Sequence, residues 1–428
     1  MAGGLMQLVA YGAQDVYLTG SPKVTFFQAV YKRHTNFAME NIEQVVNGTA
    51  ADGARLSVTV ARNGDLIGEM YLELEADVAA VLSDNAAASG EWVAERAVAD
   101  IELTIGGQRI DKHYQKWWRL YSELYLDEAK KAQYGKMASA ATTDKNKVYL
   151  PLIFFFNRNP GLYLPLIALQ YHEVRLDITL SSAYSIYFTT GSTKNAVKVW
   201  GNYVYLDTEE RRRFAQKGHE YLIEQVQHTG VDTVDAATNG KQVRLSYNHP
   251  VKELVWCFSA NGTSPEYNDM WDTSNADSAN VTTVSNANVT RDSTNATVTS
   301  FSTIGAPLMV ANGNQWVSEE ANSGGPMNTF KLILNGQDRF KEQSGKYFNQ
   351  VQPFYHHSGN PYLGIYSYSF ALKPEEHQPT GTCNFSRIDN AQVEVKTKGG
   401  SKTSMHMFAV NYNVLRIQSG MGGLAFSN

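Results

Sequence analysis

A few residues are of a type that could do chemistry. His219-Glu220 with His228 has the residue types of a zinc-protease motif but not its spacing: HExxH sets both imidazoles on one helical face, whereas here the second His comes too late and the segment alternates like a strand. His356-His357 is an isolated pair in a loop, without the further ligands that a metal needs. Glu209 and Glu210 are helix neighbours, so they cannot face one another across a substrate as glycosidase carboxylates must. Cys383 has His377 nearby, but Pro379 and Gly381 lie between them and nothing pairs thiol with imidazole. No GxSxG elbow or Walker loop is present, and the terminal SGMGGL lacks GxGxxG spacing. Arg211-Arg212-Arg213 could grip a phosphate; it reads better as helix-end charge on a connector. The chain therefore carries no set of residues that reads as catalytic, metal-binding or cofactor-binding.

Sequons are easier to find. Asn47, Asn261, Asn280, Asn288, Asn295 and Asn384 each stand two residues before Thr or Ser. Four of these lie in or beside a polar stretch over 260–327, rich in Ser, Thr, Asn and Gly. A loop this long in a compact domain is expected to be exposed, functional or both.

The elements that must position these residues are mostly strands. IELTIGGQRIDKHY (101–114) recurs as FKLILNGQDRFKEQ (330–343). Ile101, Leu103 and Ile105 alternate, as do Phe330, Leu332 and Leu334, so each is a strand with one buried face. Gly106-Gly107 and Asn335-Gly336 follow, and both are pairs that accept the positive φ of a tight hairpin. Arg109-Ile110 then matches Arg339-Phe340, with Asp338 as one extra residue. Copies this far apart indicate that a whole domain is duplicated. Around them, 55–76 reads as a hairpin turning at Asn63-Gly64. VYLPLIFFFNRNPGLYLPLIALQYHEVRLDITL (148–180) is the densest β segment, broken at Pro151, Pro160 and Pro165. YLGIYSYSFALKP and SRIDNAQVEV echo its parts in the second half.

Helices are few. Tyr114, Trp117, Trp118, Tyr121, Leu124 and Tyr125 form one face of a helix over 111–131, capped by Asp111. This stripe suits packing better than a stacking platform for sugar or base. The second copy shows no such helix in its sequence. Residues 208–218 read as a short connector helix, with Asp207 and Glu210 at capping-box spacing. The domain reading is an N-terminal arm (1–24), a first β domain (25–207), the connector (208–218) and a second β domain (219–428). Many short strands in duplicate make the chain all-β, two sandwiches or barrels in tandem.

Composition supports this. Hydrophobic residues at 43% with 18% charge fit a folded chain. A net charge of −5 with mixed signs gives no nucleic-acid footprint. Cys257 and Cys383 are too few for a disulfide framework and read as buried free thiols. No run is long enough to span a bilayer. MAGGLMQLVAYGAQDV has no basic region ahead of an apolar core, so no secretory signal is read and folding in a cytosol-like compartment is expected.

Longer motifs carry a specific resemblance. MAGGLMQLVAYGAQDVYLTG (1–20), NGDLI (63–67), IGGQRIDKHY (105–114), the 148–176 segment, FAQKGHEYLIEQVQ (214–227), LNGQDRF (334–340), YSFALKP (368–374), QPTGTCNFSRIDNA (378–391) and NYNVLRIQSGMGGLAF (411–426) span the chain. It closely resembles the major capsid proteins of nucleocytoplasmic large DNA viruses, nearest to those of the chlorella-virus type. The resemblance implies a double jelly roll, two eight-stranded jelly rolls in one chain. It also implies a structural protein without enzymatic activity that forms homotrimers, pseudo-hexagonal capsomers of an icosahedral shell. Neighbouring capsomers, and minor capsid proteins met by the 1–24 arm beneath the shell, are the implied partners. The implied location is the virion capsid, with assembly in the host cytoplasm. Family members also bear unusual glycans, for which Asn280, Asn288 and Asn295 are the candidate positions. The competing readings are a minor or spike component on the same fold and a jelly-roll carbohydrate-binding protein.

Overall fold

The computed structural model describes residues 23–77 except 26, 92–139, 145–182, 184–187, 197–234, 240–259, 309–312, 315–318, 326–361, 364–397 and 404–426, together with positions 14 and 18. In the first half the principal strands are β1 (Phe37–Gln44), β2 (Arg55–Thr59), β3 (Leu66–Asp77), β4 (Val98–Ile105), β5 (Gln108–Tyr114), β6 (Lys145–Pro151), β7 (Val174–Leu180) and β8 (Val197–Leu206). Helices α1 (Gln115–Leu124) and α2 (Glu128–Ala138) lie between β5 and β6, and α3 (Thr208–Gln216) follows β8. The second half repeats the set: β9 (His219–Thr233), β10 (Lys241–Leu245), β11 (Pro250–Ser259), β12 (Met327–Leu334), β13 (Gln337–Asp338), helix α4 (Gln352–His356), β14 (Ile365–Ser369), β15 (Ala391–Thr397) and β16 (Ser404–Gln418). A last strand, β17 (Met421–Leu424), folds back on β16.

Sheet order shows the duplication. One sheet runs β1-β8-β3-β6 and the other β2-β7-β4-β5. The second half runs β9-β16-β11-β14 and β10-β15-β12-β13. Strand n of the first set occupies the place of strand n+8 in the second, all pairs are antiparallel, and each barrel is a jelly roll of two facing sheets. The alternation read from sequence is what fills them. Leu56 and Val58 of β2, Ile101, Leu103 and Ile105 of β4, and Leu176 and Ile178 of β7 face one core; Phe330 and Leu332 of β12 and Val393 and Val395 of β15 face the other.

The two repeated hairpins form as expected. Gly106 and Gly107 have φ of 58° and 81°, Asn335 and Gly336 48° and 79°. Ile105 pairs with Gln108 and Leu334 with Gln337 across the turns.

Several expectations need correction. The 55–76 segment is not a hairpin: β2 and β3 belong to different sheets, and Asn63-Gly64 lies in the crossing between them. Alternation marks both strands but cannot say which sheet each joins. The helix expected over 111–131 starts later and divides. Pairing carries β5 on to Tyr114, opposite Asp100, so Asp111 lies in a strand and does not cap α1, whose start has no side-chain cap. Asp127 breaks the run by capping α2, its carboxylate accepting from the Lys130 amide at 2.7 Å. The second copy does carry a helix: a π turn over Tyr347–Val351 leads into α4. Asp207 caps α3, but it accepts from the adjacent Thr208 amide at 2.8 Å and Glu210 Oε2 has no hydrogen-bond partner, so the expected capping box does not form. Within 260–327, a short ladder pairs Met309–Asn312 with Gln315–Ser318; residues 260–308 lie outside the described residues.

Candidate functional site

The charged and aromatic residues that the fold brings together lie at the seam between the two barrels. Helix α1 supplies one side. Trp118 and Leu120 are buried in the first barrel. Trp117 lies 5.7 Å from Phe408 of β16, Tyr121 stacks on Tyr125 at 4.7 Å, and Tyr125 meets His357 edge-on at 5.2 Å. The stripe is therefore a packing face, and what it packs on is the other barrel. The outward side chains of the β9-β16-β11-β14 sheet, Val255, Cys257, Ile365, Phe408 and Val410, are buried in the same hydrophobic cluster as the first barrel's core. Each such side chain contributes about 1.5–3 kcal/mol.

Hydrogen bonds cross the seam along its length. Asp111, freed from any capping role, accepts from the Val226 amide at 3.0 Å and lies 3.0 Å from Nε2 of buried His113. Gln225 Nε2 donates to the Ile110 carbonyl. Leu424 donates to Gln108 Oε1 at 3.1 Å, and Lys116 Nζ lies 3.0 Å from His406 Nε2. The C-terminus of α1, whose last carbonyls have no partner within the helix, receives the Gly359 amide on Leu124 O at 2.9 Å. A Cβ at Gly359 would stand 2.2 Å from Glu123 O, so this close approach requires glycine.

Three charge clusters, each built on a buried carboxylate, line this region. In the first barrel, Arg119 lies between Glu95 (3.6 Å) and Glu123 (2.7 Å), with its guanidinium over the Trp92 ring; Lys131 pairs with Glu123 and donates to Asn360 O across the seam at 3.0 Å. At the seam, Glu224 meets Arg158 at 3.0 Å, Lys252 at 2.7 Å and His377 at 3.8 Å. Burial opposes the Glu224 charge, but Arg158 and Lys252 outweigh it and hold the carboxyl far below its usual range. Burial pushes Lys252 down against the pull of Glu224. The Lys252 ammonium also donates to Pro374 O at 2.6 Å, and that saturated geometry supports a charged pair. His357, its side chain 0% exposed, sits between Glu253 (3.1 Å) and Glu375 (3.4 Å). Burial alone would lower its pKa; the two carboxylates outweigh that and raise it to about 9. A cleft of about 390 Å³ opens beside the Glu224 cluster, lined by Tyr121, Tyr125, Arg158, Glu375 and His377.

This arrangement locks two barrels together, and its groups are neutralised by one another. The motif residues are not assembled into a reactive site. His219 and His228 lie far apart on β9, stacked on Phe214 and Phe408 respectively. His356-His357 is not a loop pair: His356 ends α4 and lies 3.1 Å from Leu372 O, while His357 is the buried ion-pair residue just described. Glu209 is surface-exposed beside Arg212, and Arg211 reaches back 3.0 Å to Asp65 of the first barrel. Cys257 is buried as expected, Cys383 only half-buried, and both are free thiols. Among the described residues, no three His, Cys, Asp or Glu side chains group as a metal site, and no helix is long and apolar enough to cross a membrane. Asn47 is exposed; Asn384 caps a turn, accepting from Ser386 at 3.1 Å. Asn280, Asn288 and Asn295 lie outside the described residues.

Sequence reasoning missed the clusters. Their one local signal is Lys252-Glu253 inside the otherwise apolar strand VKELVWCF, since charges in a buried strand need partners.

Comparison with known proteins gives a consistent match. A family model described as large eukaryotic DNA virus major capsid protein matches residues 210–423, and a model of the major capsid protein N-terminus matches 25–207. The major capsid protein of Paramecium bursaria Chlorella virus 1 is 42% identical over 464 aligned residues covering all of both chains; that of Pyramimonas orientalis virus is 40% identical with the same coverage. A solved chain from the PBCV-1 virus capsid superposes with a TM-score of 0.73 at 37% identity, over 94% of this chain and 100% of that one. The Faustovirus major capsid protein shares the fold, with a TM-score of 0.65 at 13% identity, over 92% and 93% of the two chains.

Proposed function

The chain belongs to the family of large eukaryotic DNA virus major capsid proteins, and on that premise we propose that it builds an icosahedral shell as a homotrimer. Its function is that of a structural capsid protein and its place is the virion capsid. The carrying observation for the trimer is the internal repeat, with two barrels of one topology side by side in each chain. Three such chains around a threefold axis present six barrels, an outline close to sixfold, and near-sixfold units tile a flat facet. A native mass measured by light scattering tests this directly. Three times the 47.5 kDa chain is expected, and a stable monomer overturns it.

The finer organisation follows the same reading. Residues 25–207 and 219–428 are the two jelly-roll domains, 208–218 is the connector, and 1–24 is an arm that meets minor capsid proteins beneath the shell. Neighbouring capsomers are the lateral partners, and assembly takes place in the host cytoplasm. The protein acts without catalysis, a reading supported by the mutual neutralisation of its buried charges. The loop over 260–327 faces outward and carries glycan on Asn280, Asn288 or Asn295. An intact mass of the virion protein equal to the bare chain overturns the glycan assignment.

A further inference from the structure

The two copies differ in what covers them. Counting on from Arg109 and Arg339, Lys116 falls on Lys346, Trp118 on Phe348, Tyr121 on Val351 and Tyr125 on Tyr355. Trp118 and Phe348 are both fully buried, each in its own barrel. The outward residues have opposite fates. Tyr121 and Tyr125 lie in the seam, and Lys116 meets His406 there. Val351 and Tyr355 are 39% and 72% exposed, Phe354 between them is 80% exposed, and Lys346 is exposed. Leu372, 75% exposed, extends this apolar patch, its carbonyl 3.1 Å from His356 Nδ1. The patch is continuous with the seam, because the residue after α4 is His357, in its ion pair with Glu253.

The receiving sheet is also present twice and covered once. Ile42-Glu43-Gln44 at the end of β1, with Val45 after it, repeats Ile223-Glu224-Gln225-Val226 of β9. Glu43 pairs across the ladder with Trp200 as Glu224 does with Tyr412. In the second barrel this face is buried under the first, with Glu224 bound to Arg158. In the first barrel Phe37 and Met39 are 41% and 45% exposed, Trp200 is half-buried, and Glu43 is exposed with Lys198 at 3.8 Å. On strand β3 beside it, Glu73 accepts from Trp200 Nε1 at 2.8 Å and pairs with Lys147 at 2.7 Å, while next to the apolar patch Lys373 pairs with Glu376 at 2.8 Å, so the two faces differ from the seam in carrying locally balanced charge.

Among the described residues, each chain thus has a helix whose outer aromatic side is uncovered and a matching sheet face that no helix covers. We propose that Val351, Phe354, Tyr355 and Leu372 seat on the Met39, Glu43 and Trp200 face of a second copy's first barrel, repeating between chains the seam found within one. This rests on the trimer reading above and says which surfaces make it. The contact is head-to-tail, so within a trimer it runs round a ring of three chains rather than pairing two copies symmetrically.

The test uses the full chain. Native mass of the unaltered protein comes first, since a monomer there refutes the trimer itself, and with it this contact. With a trimer in hand, the Phe354→Glu, Tyr355→Glu double variant is expected to run as a folded monomer with an unchanged melting temperature. Independently, Tyr355→Cys combined with Trp200→Cys should give, on mild oxidation, a covalent species of three chains on a non-reducing gel. Each single cysteine variant should give none. A glutamate variant that stays trimeric, or cross-linking that stops at two chains or fails, overturns the proposed surfaces while leaving the trimer standing.

Discussion

His357 makes the seam sensitive to pH. Its folded-state pKa of about 9 lies above the ordinary 6.5, so its charged form is stabilised by folding. The contribution is complete below about pH 6.5 and is lost as pH rises through about 9. A shift of this size corresponds to at most about 3 kcal/mol. Melting measured between pH 6 and pH 10 should therefore fall on the alkaline side, and His357→Gln should flatten that fall. Parallel curves for the two proteins would show that Glu253 and Glu375 do not hold the imidazolium. Glu224 works in the other direction: its carboxyl is held so low that mild acid leaves it charged.

The hairpin is the element that the repeat conserves, and its turn is strict. Gly336 has φ of 79° following Asn335 at 48°. An added Cβ at Gly336 meets nothing within 4 Å, so the cost of a side chain there is conformational and not steric crowding. Gly336→Val should cost about 1–3 kcal/mol, a large part of a domain's margin of about 5–15 kcal/mol. Thermal unfolding checks it, and unchanged melting would mean that the turn tolerates a β-branched residue. Gly106 differs: its Cβ would lie 2.3 Å from His172 Nδ1, the imidazole that holds the Gly422 amide at 3.1 Å. One turn is therefore free at the surface while the other is wedged under the C-terminal strand. A similar divergence separates α1, buried in the seam, from α4, which presents its apolar side to solvent. The sequence pointed to α1 because its stripe is long and regular; α4 escaped because a π turn breaks the period ahead of it.

For the whole molecule, the duplication underlies both the seam within the chain and the contact proposed between chains. The seam buries one helix and one sheet face, and the chain leaves one of each outward. Residues 1–24 stand apart from this scheme. Their deletion should leave the native mass of the oligomer unchanged and reduce incorporation of the protein into complete virions. If deletion dissolves the oligomer instead, those residues belong to the contact between copies.

Sequence by itself determined the strands, the two repeated hairpins, the duplicated all-β plan and the family. These depend on period-two alternation, on turn residues that admit positive φ and on long runs of near-identity, all written locally along the chain. It did not determine which sheet each strand joins, so 55–76 passed for a hairpin. Nor did it show that Asp111 bonds across to Val226, that Lys252, Glu224 and Arg158 form one cluster around a buried carboxylate, or that His357 is enclosed by two carboxylates. Only the tertiary structure decided these. A buried charge is tolerable only when its partner is close, and here the partners come from distant parts of the chain that meet once both barrels have closed.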